Sequence, residues 1–269
     1  MGMNWLHTIA ALRAARIENK RIASSLSVML GVSTSRKKFM LDKRNINDIG
    51  SKAWIDWHIN PDDNLHNAIQ TGLDRGNGLI IGSCFSGHYL PALSLIRHHS
   101  SECLMMQGRF VTSGMSPAQL ADFASATGVN LRIGRVDAHS SLTMVKHLKR
   151  NGIVFVMLDS PLEGMTIFSV DFFGAPAITG DGLYHLAAKT GAAILPVFTP
   201  RTHQGVDVKT GNLQFAGEDS VEKLATNTLA SLQDLIWTDP SKWWLWDYLY
   251  RRWAGARHLL LNPPISAAG

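Results

Sequence analysis

Cysteine is nearly absent: Cys84 and Cys103 are the only two among 269 residues. Two thiols cannot build a disulfide framework for a chain of this size, and no CxxC or Cys/His ligand spacing points to zinc. A reducing, cytoplasmic compartment is the simpler expectation, with no metal and no cofactor. Long apolar runs are missing as well. The longest mid-chain stretch free of Asp, Glu, Lys and Arg, Gly76 to Ile96, is interrupted by Asn77, Ser83, Ser86, Gly87, His88 and Pro91. It therefore reads as a buried strand, a turn and a helix, not as a membrane span. The N-terminus lacks a charged region followed by an apolar core and a small-residue cleavage site, so export is not expected. There is no internal repeat, low-complexity tract or Pro/Gly-rich linker, and one domain is expected over 1–269.

The composition is that of a folded globule, 45% hydrophobic and 17% charged. The formal charge of +5 is unevenly placed. Residues 1–44 hold nine Lys and Arg against Glu18 and Asp42, which leaves the remainder slightly acidic. A basic section of this kind docks on anionic lipid headgroups, an acidic carrier protein or nucleic acid, or is simply a solvated helix face. Nucleic acid is the poorest of these, because no recognised motif is present and the basic residues are not interleaved with stacking aromatics. A peripheral position on the inner face of the cytoplasmic membrane fits the lipid alternative.

Hydrophobic spacing divides the chain into three parts: a helical preface (1–75), an α/β core (76–220) and C-terminal helices (221–269). Trp5 to Lys20 carries an apolar stripe beside Arg13, Arg16 and Lys20, a helix suited to a membrane surface and too short to span one. Further helices are predicted over about Asn45 to His58 and Asn64 to Arg75. In the core, strands are predicted at Leu79–Ile81, Cys103–Gln107, Asn130–Ile133, Ile153–Leu158 and Ala193–Phe198. Helices alternate with them at Leu90–Arg97, Pro117–Thr127, Ser140–Arg150 and Asp181–Thr190, the last two stopped by Asn151-Gly152 and Gly191. This alternation predicts a mainly parallel sheet covered by helices on both faces. Ligands of such sheets sit beyond the carboxyl ends of the strands, which directs attention to Ser83–His88 and to Asp159.

Three blocks carry a resemblance: Gly72 to Ser83, Val170-Asp171-Phe172-Phe173-Gly174-Ala175-Pro176-Ala177, and Gly182 to Phe198 with Lys189-Thr190-Gly191-Ala192 and Leu195-Pro196-Val197-Phe198. They are similar, in residues and in register, to the bacterial lipid A lauroyl and myristoyl acyltransferases, with weaker similarity from about Arg21 to the Trp-rich C-terminus. The resemblance implies an acyltransferase-like α/β sandwich, an acyl thioester donor held on an acyl carrier protein or CoA, and transfer to an acceptor hydroxyl. Members of that family place a His, four intervening residues and then Asp or Glu at the turn after the first sheet strand; the His takes the acceptor's proton and the carboxylate orients it. Here the His position falls on Cys84 and the acid position on Tyr89.

That departure opens different classes of function. In one, Cys84 is a nucleophile activated at the start of a helix, His88 at i+4 is its base, and transfer passes through an enzyme thioester. In another the site is silent and the fold retains only acyl-chain or carrier-protein binding, with Cys84 a small core hydrophobe. In a third, His88 is the base directly and Cys84 fills space. Tyr89 is placed with the substrate-binding residues. Arg109 falls where a guanidinium could grip a phosphopantetheine phosphate or a headgroup, or form a surface ion pair. Asp159 either positions substrate or caps its loop, and Gly164 and Phe173-Gly174 shape an acyl groove. His139, His147, His185 and His203 lie in separate elements and are expected to be structural or exposed. Trp237, Trp243, Trp244, Trp246 and Trp253, beside Arg251 and Arg252, suit either a membrane interface or a helix packed on the sheet, and the packed alternative is favoured.

Overall fold

A computed structural model describes residues 58–86, 89–107, 117–135, 138–159, 167–203, 205–217, 220–243 and 245. The basic N-terminal section, the helix expected at Trp5 to Lys20 and residues 45–57 of the next one lie outside them. So do Trp244, Trp246, Trp253, Arg251 and Arg252.

In chain order the elements are β1 (His58–Pro61), α1 (Leu65–Leu73), β2 (Leu79–Ser83), α2 (Tyr89–Ser94), β3 (Glu102–Gln107), α3 (Pro117–Thr127), β4 (Asn130–Arg135), α4 (Ala138–Leu148) and β5 (Ile153–Met157). They continue with β6 (Ile167–Phe172), β7 (Ala175–Gly180), α5 (Gly182–Thr190), β8 (Ala193–Phe198), β9 (Gly205–Thr210), β10 (Gln214–Phe215) and α6 (Val221–Thr238). Every strand predicted in the core is present, and so is every helix. The short strands β1, β6, β7, β9 and β10 were not predicted. His58, expected to end a helix, instead opens β1, because its neighbour is the edge of β9: His58 to Pro61 pair in parallel with Gly205 to Val208.

The main sheet has the order β1-β9-β8-β2-β5-β3-β4, with β10 added to β8. The run β8-β2-β5-β3-β4 is wholly parallel, whereas β9 and β10 run against β8. β2 and β5 lie at its centre, buried on both faces, and read as the unbroken apolar runs such strands require. Alternate residues of these strands feed two cores. Ile80, Cys84, Val154, Val156 and Ile194 face one core with α4, the β6–β7 hairpin, α5 and α6. Leu79, Ile81, Ile153, Phe155 and Leu195 face the other with α1, α2 and α3. The expected two-faced cover is therefore observed.

Residues at the amino ends of the central strands lock the register. Asn151 adopts φ 60°, ending the segment after α4. Its side chain accepts from the Gly78 amide at 2.9 Å and donates to the Leu73 carbonyl at 3.0 Å, tying α1 to the start of β2. At the other end of the chain, α6 starts on Ser220, whose hydroxyl caps the Lys223 amide at 3.2 Å, worth about 1 kcal/mol. Its Leu224, Ala225, Thr228, Leu229, Leu232, Leu235 and Ile236 recur at helical spacing and are buried. Among the described residues no helix is long and apolar enough to cross a membrane.

Candidate active site at the carboxyl ends of the central strands

β2 and β5 are hydrogen-bonded neighbours, and the chain leaves them in opposite directions. From β2 it crosses the face that carries α2 and moves outward to β3; from β5 it crosses the opposite face, through the β6–β7 hairpin and α5, to reach β8. Reversing direction and changing face together keeps the hand of the crossovers constant. Two adjacent strands whose connections part in this way leave a crevice between their carboxyl ends, the usual ligand position in an open parallel sheet. The loops on its two sides begin at Cys84 and Leu158, and Thr199, directly after β8, stands beyond β2.

The crevice floor is tightly packed. The Leu158 amide donates to the Ser83 carbonyl at 2.7 Å, extending the parallel ladder one step past β5. Leu158 lies across Gly82, where an added Cβ would come within 2.6–2.8 Å of the leucine side chain. Glycine at this position is thus a close-approach requirement and not a turn signal.

Asp159, fully buried, is the charged centre of the site. One carboxylate oxygen, Oδ2, accepts from the Phe85 amide at 2.8 Å and from the Trp243 indole Nε1 at 2.7 Å. Burying a carboxylate is costly unless it is hydrogen-bonded, and bonds to a charged group contribute about 1.5–3 kcal/mol each. Both donors therefore go to holding this group. The bond to the Phe85 amide ties Asp159 to the loop after β2. Trp243 is itself fixed by aromatics: it stacks on Phe173, with ring centroids 5.3 Å apart, and meets Phe172 edge-on at 6.0 Å. Phe173 also meets Trp237 edge-on at 5.2 Å.

Cys84 is buried beside this carboxylate. Burial, and next the negative charge of Asp159, push its thiol well above the usual range, with the nearby Ser86 hydroxyl opposing in part. The sulfur is therefore protonated at neutral pH. Cys84 lies between β2 and a turn at Phe85 and Ser86, and the next described helix is Tyr89–Ser94, so Cys84 is not itself helical. Ser86 is buried as well; its hydroxyl lies 3.4 Å from both the Cys84 carbonyl and the Thr199 hydroxyl. The Ser83 hydroxyl, fully buried, finds no hydrogen-bond partner among the described residues.

The other residues selected from the sequence are spread over both cores and the surface. Tyr89 belongs to the opposite core from Cys84 and packs on Phe155, with ring centroids 5.6 Å apart; burial pushes its phenol up to about 12. Phe173, expected to shape an acyl groove, is 5% exposed and part of the aromatic cluster around Trp243. His88, Arg109 and Gly164 lie outside the described residues. His147 bonds the Ile153 carbonyl at 3.0 Å, and His185 is exposed beside Asp181, as expected for structural and surface histidines. Ser86, Thr199 and Trp243 were missed as parts of the site. The signal for Thr199 is its position, the first residue past the carboxyl end of a central strand, whereas nothing local in sequence marks Trp243 as a partner for Asp159.

No curated protein matches the chain. Residues 134–254 match the family model described as bacterial lipid A biosynthesis acyltransferase. The match takes in β5, Asp159, the Phe172-Phe173 turn, α6 and Trp243, and it begins beyond the loop that carries Cys84. Residues 134–254 are thus similar to that family, and the chain carries the mainly parallel α/β sheet expected of such a protein.

Proposed function

We propose that the protein transfers an acyl group, taken from a thioester on an acyl carrier protein or CoA, to an acceptor nucleophile bound in the crevice between the loops after β2 and β5. The observation that supports this most is positional. The loop that holds the resembled family's catalytic His and acid lies at the topological switch point of this sheet, pinned there by a buried carboxylate.

The burial of Cys84 favours the route in which His88 is the base. His88 removes the acceptor proton as the acceptor attacks the thioester carbonyl; the carbon–sulfur bond breaks and the carrier or CoA thiol leaves, taking up a proton. Cys84 then serves as packing. Its place at the resembled family's catalytic position supports a second route, in which His88 takes the thiol proton as Cys84 attacks the donor carbonyl, the donor carbon–sulfur bond breaks and the carrier or CoA thiol leaves with that proton. The acceptor, giving its proton to His88, then displaces the acyl group from the Cys84 sulfur, which takes the proton back. Arg109 is assigned to the donor's phosphate, and the basic N-terminal section to an anionic carrier or membrane surface.

Intact-mass analysis after incubation with acyl-CoA and acyl carrier protein separates these routes. Turnover without an adduct, retained in Cys84→Ala and lost in His88→Ala, is expected for direct transfer. An acyl adduct absent from Cys84→Ala would establish the thioester route instead. Binding of the acyl carrier protein with neither adduct nor turnover would overturn the enzymatic reading and leave a binding protein.

A further inference from the structure

One oxygen of one carboxylate joins three segments that are distant in sequence. Asp159 Oδ2 receives the Phe85 amide from the loop after β2 and the Trp243 indole from the segment after α6, while Asp159 itself lies just past β5. The Phe85 amide is the first N–H after Cys84, so its bond fixes the peptide plane that carries the Cys84 carbonyl, the group 3.4 Å from the Ser86 hydroxyl. The indole is equally constrained. Trp243 is 1% exposed, stacked on Phe173 with an interplanar angle of 23° and flanked by Phe172. Phe173 holds an uncommon positive φ of 55°, and its amide donates to Gln233 of α6. Phe173, on which the indole stacks, is thus anchored to α6 and not to the crevice.

We infer that Trp243 is a positioning residue for the loop after β2: its indole N–H orients the Asp159 carboxylate, and the carboxylate sets the Cys84-Phe85-Ser86 backbone at the mouth of the crevice. The ring could have been placed by packing alone. A buried carboxylate oxygen that lost the indole donor, however, would be less well compensated. The indole donor holds it in the orientation that accepts from Phe85. The significance of this tie for catalysis rests on the acyl-transfer reading, but the tie itself does not.

The test is amide hydrogen exchange followed by NMR on the full chain, comparing wild type with Trp243→Phe, which keeps an aromatic ring and removes the donor. Exchange at the Phe85 amide is expected to accelerate about tenfold or more, the loss associated with one hydrogen bond to a charged group, while Ile80, Ile81 and Val154 exchange as before. Unchanged exchange at Phe85, or acceleration shared equally by the strand amides, would overturn the inference in favour of packing alone. Should Trp243→Phe fail to fold, Asp159→Asn supplies the converse reading. The Trp243 indole N–H is expected to shift and to exchange faster, and an unshifted, equally protected indole overturns the proposal. In the activity arm, Trp243→Phe lowers kcat about tenfold with KM little changed; absence of turnover in the wild type counts against acyl transfer and leaves the exchange result standing.

Discussion

Gly82→Ala tests whether the crevice floor depends on the close approach of β2 and the loop after β5. A methyl built on Gly82 would meet Cγ, Cδ1 and Cδ2 of Leu158 at 2.6, 2.7 and 2.8 Å, so the whole isobutyl head is in the way and not one rotatable tip. Overpacking of this kind costs about 1–3 kcal/mol, against which removing a glycine from a strand interior returns roughly 0.5–1 kcal/mol. Leu158→Ala alone, at a side chain 6% exposed, is expected to cost about 2–5 kcal/mol through lost burial and the cavity left behind. In the double variant the new methyl enters that cavity and the clash is gone. The two effects should therefore fall short of additivity by about 1–3 kcal/mol. Urea unfolding followed by tryptophan fluorescence measures all three variants, with equal m-values required for the comparison. Additive losses would refute the reasoning, because they would mean that Gly82 and Leu158 do not share the space. Leu158 also carries the amide bonded to Ser83 and precedes Asp159, so Gly82→Ala is expected to impair any activity of the crevice more than its stability loss explains.

Cys84 should alkylate with iodoacetamide on the order of a hundredfold more slowly in the native protein than in urea at neutral pH, since burial and the Asp159 charge keep the thiol protonated; fast native labelling would contradict this. Asn151→Ala removes the two hydrogen bonds to Gly78 and Leu73 and leaves alanine at φ 60°, an expected loss of about 2–3 kcal/mol in chemical denaturation. On the surface beside α1, His99 bonds His66 at 3.0 Å and Gln70 at 3.2 Å; burial first, then the neighbouring His66 and His98, lower its proton affinity in the folded state. The unfolded chain then binds the proton more readily, so this group's contribution is lost as pH falls below the ordinary histidine range of about 6.5. His99→Gln should reduce the slope of stability against pH in that window, measured by thermal unfolding, and an unchanged slope would assign the acid sensitivity elsewhere.

The layout of this fold was legible because its central strands are buried on both faces. Ile153 to Met157 had to be continuously apolar, and the helices between strands had to show helical spacing, since each covers one face of the sheet. The strands that escaped are those whose existence depends on a partner distant in the chain. His58 to Pro61 is four residues of no marked β character, and it is a strand because β9 offers its edge. The β6–β7 hairpin turns on Phe173 and Gly174, both at positive φ, in a segment whose family resemblance was evident but whose turn was not. Tertiary pairing, not local propensity, decided both.

The site was legible to a different depth. Chain position led to the Cys84 loop and to Asp159, because the carboxyl ends of central strands can be located once the strands are known. The sign of their interaction is not contained in the sequence. An acid near a thiol could orient a base or support a proton transfer, but here burial and then the carboxylate raise the thiol's proton affinity, and one carboxylate oxygen accepts from a backbone amide and an indole. The reading of Cys84 as a pre-formed thiolate placed it at the start of a helix, whereas Phe85 and Ser86 form a turn and Tyr89, in the next described helix, packs into the opposite core. Covalent chemistry at Cys84 would therefore need a base to remove its proton. Direct transfer, with the base acting on the acceptor and not on sulfur, makes no such demand, and for that reason we propose packing as the role of Cys84 at the position where the resembled family keeps its histidine.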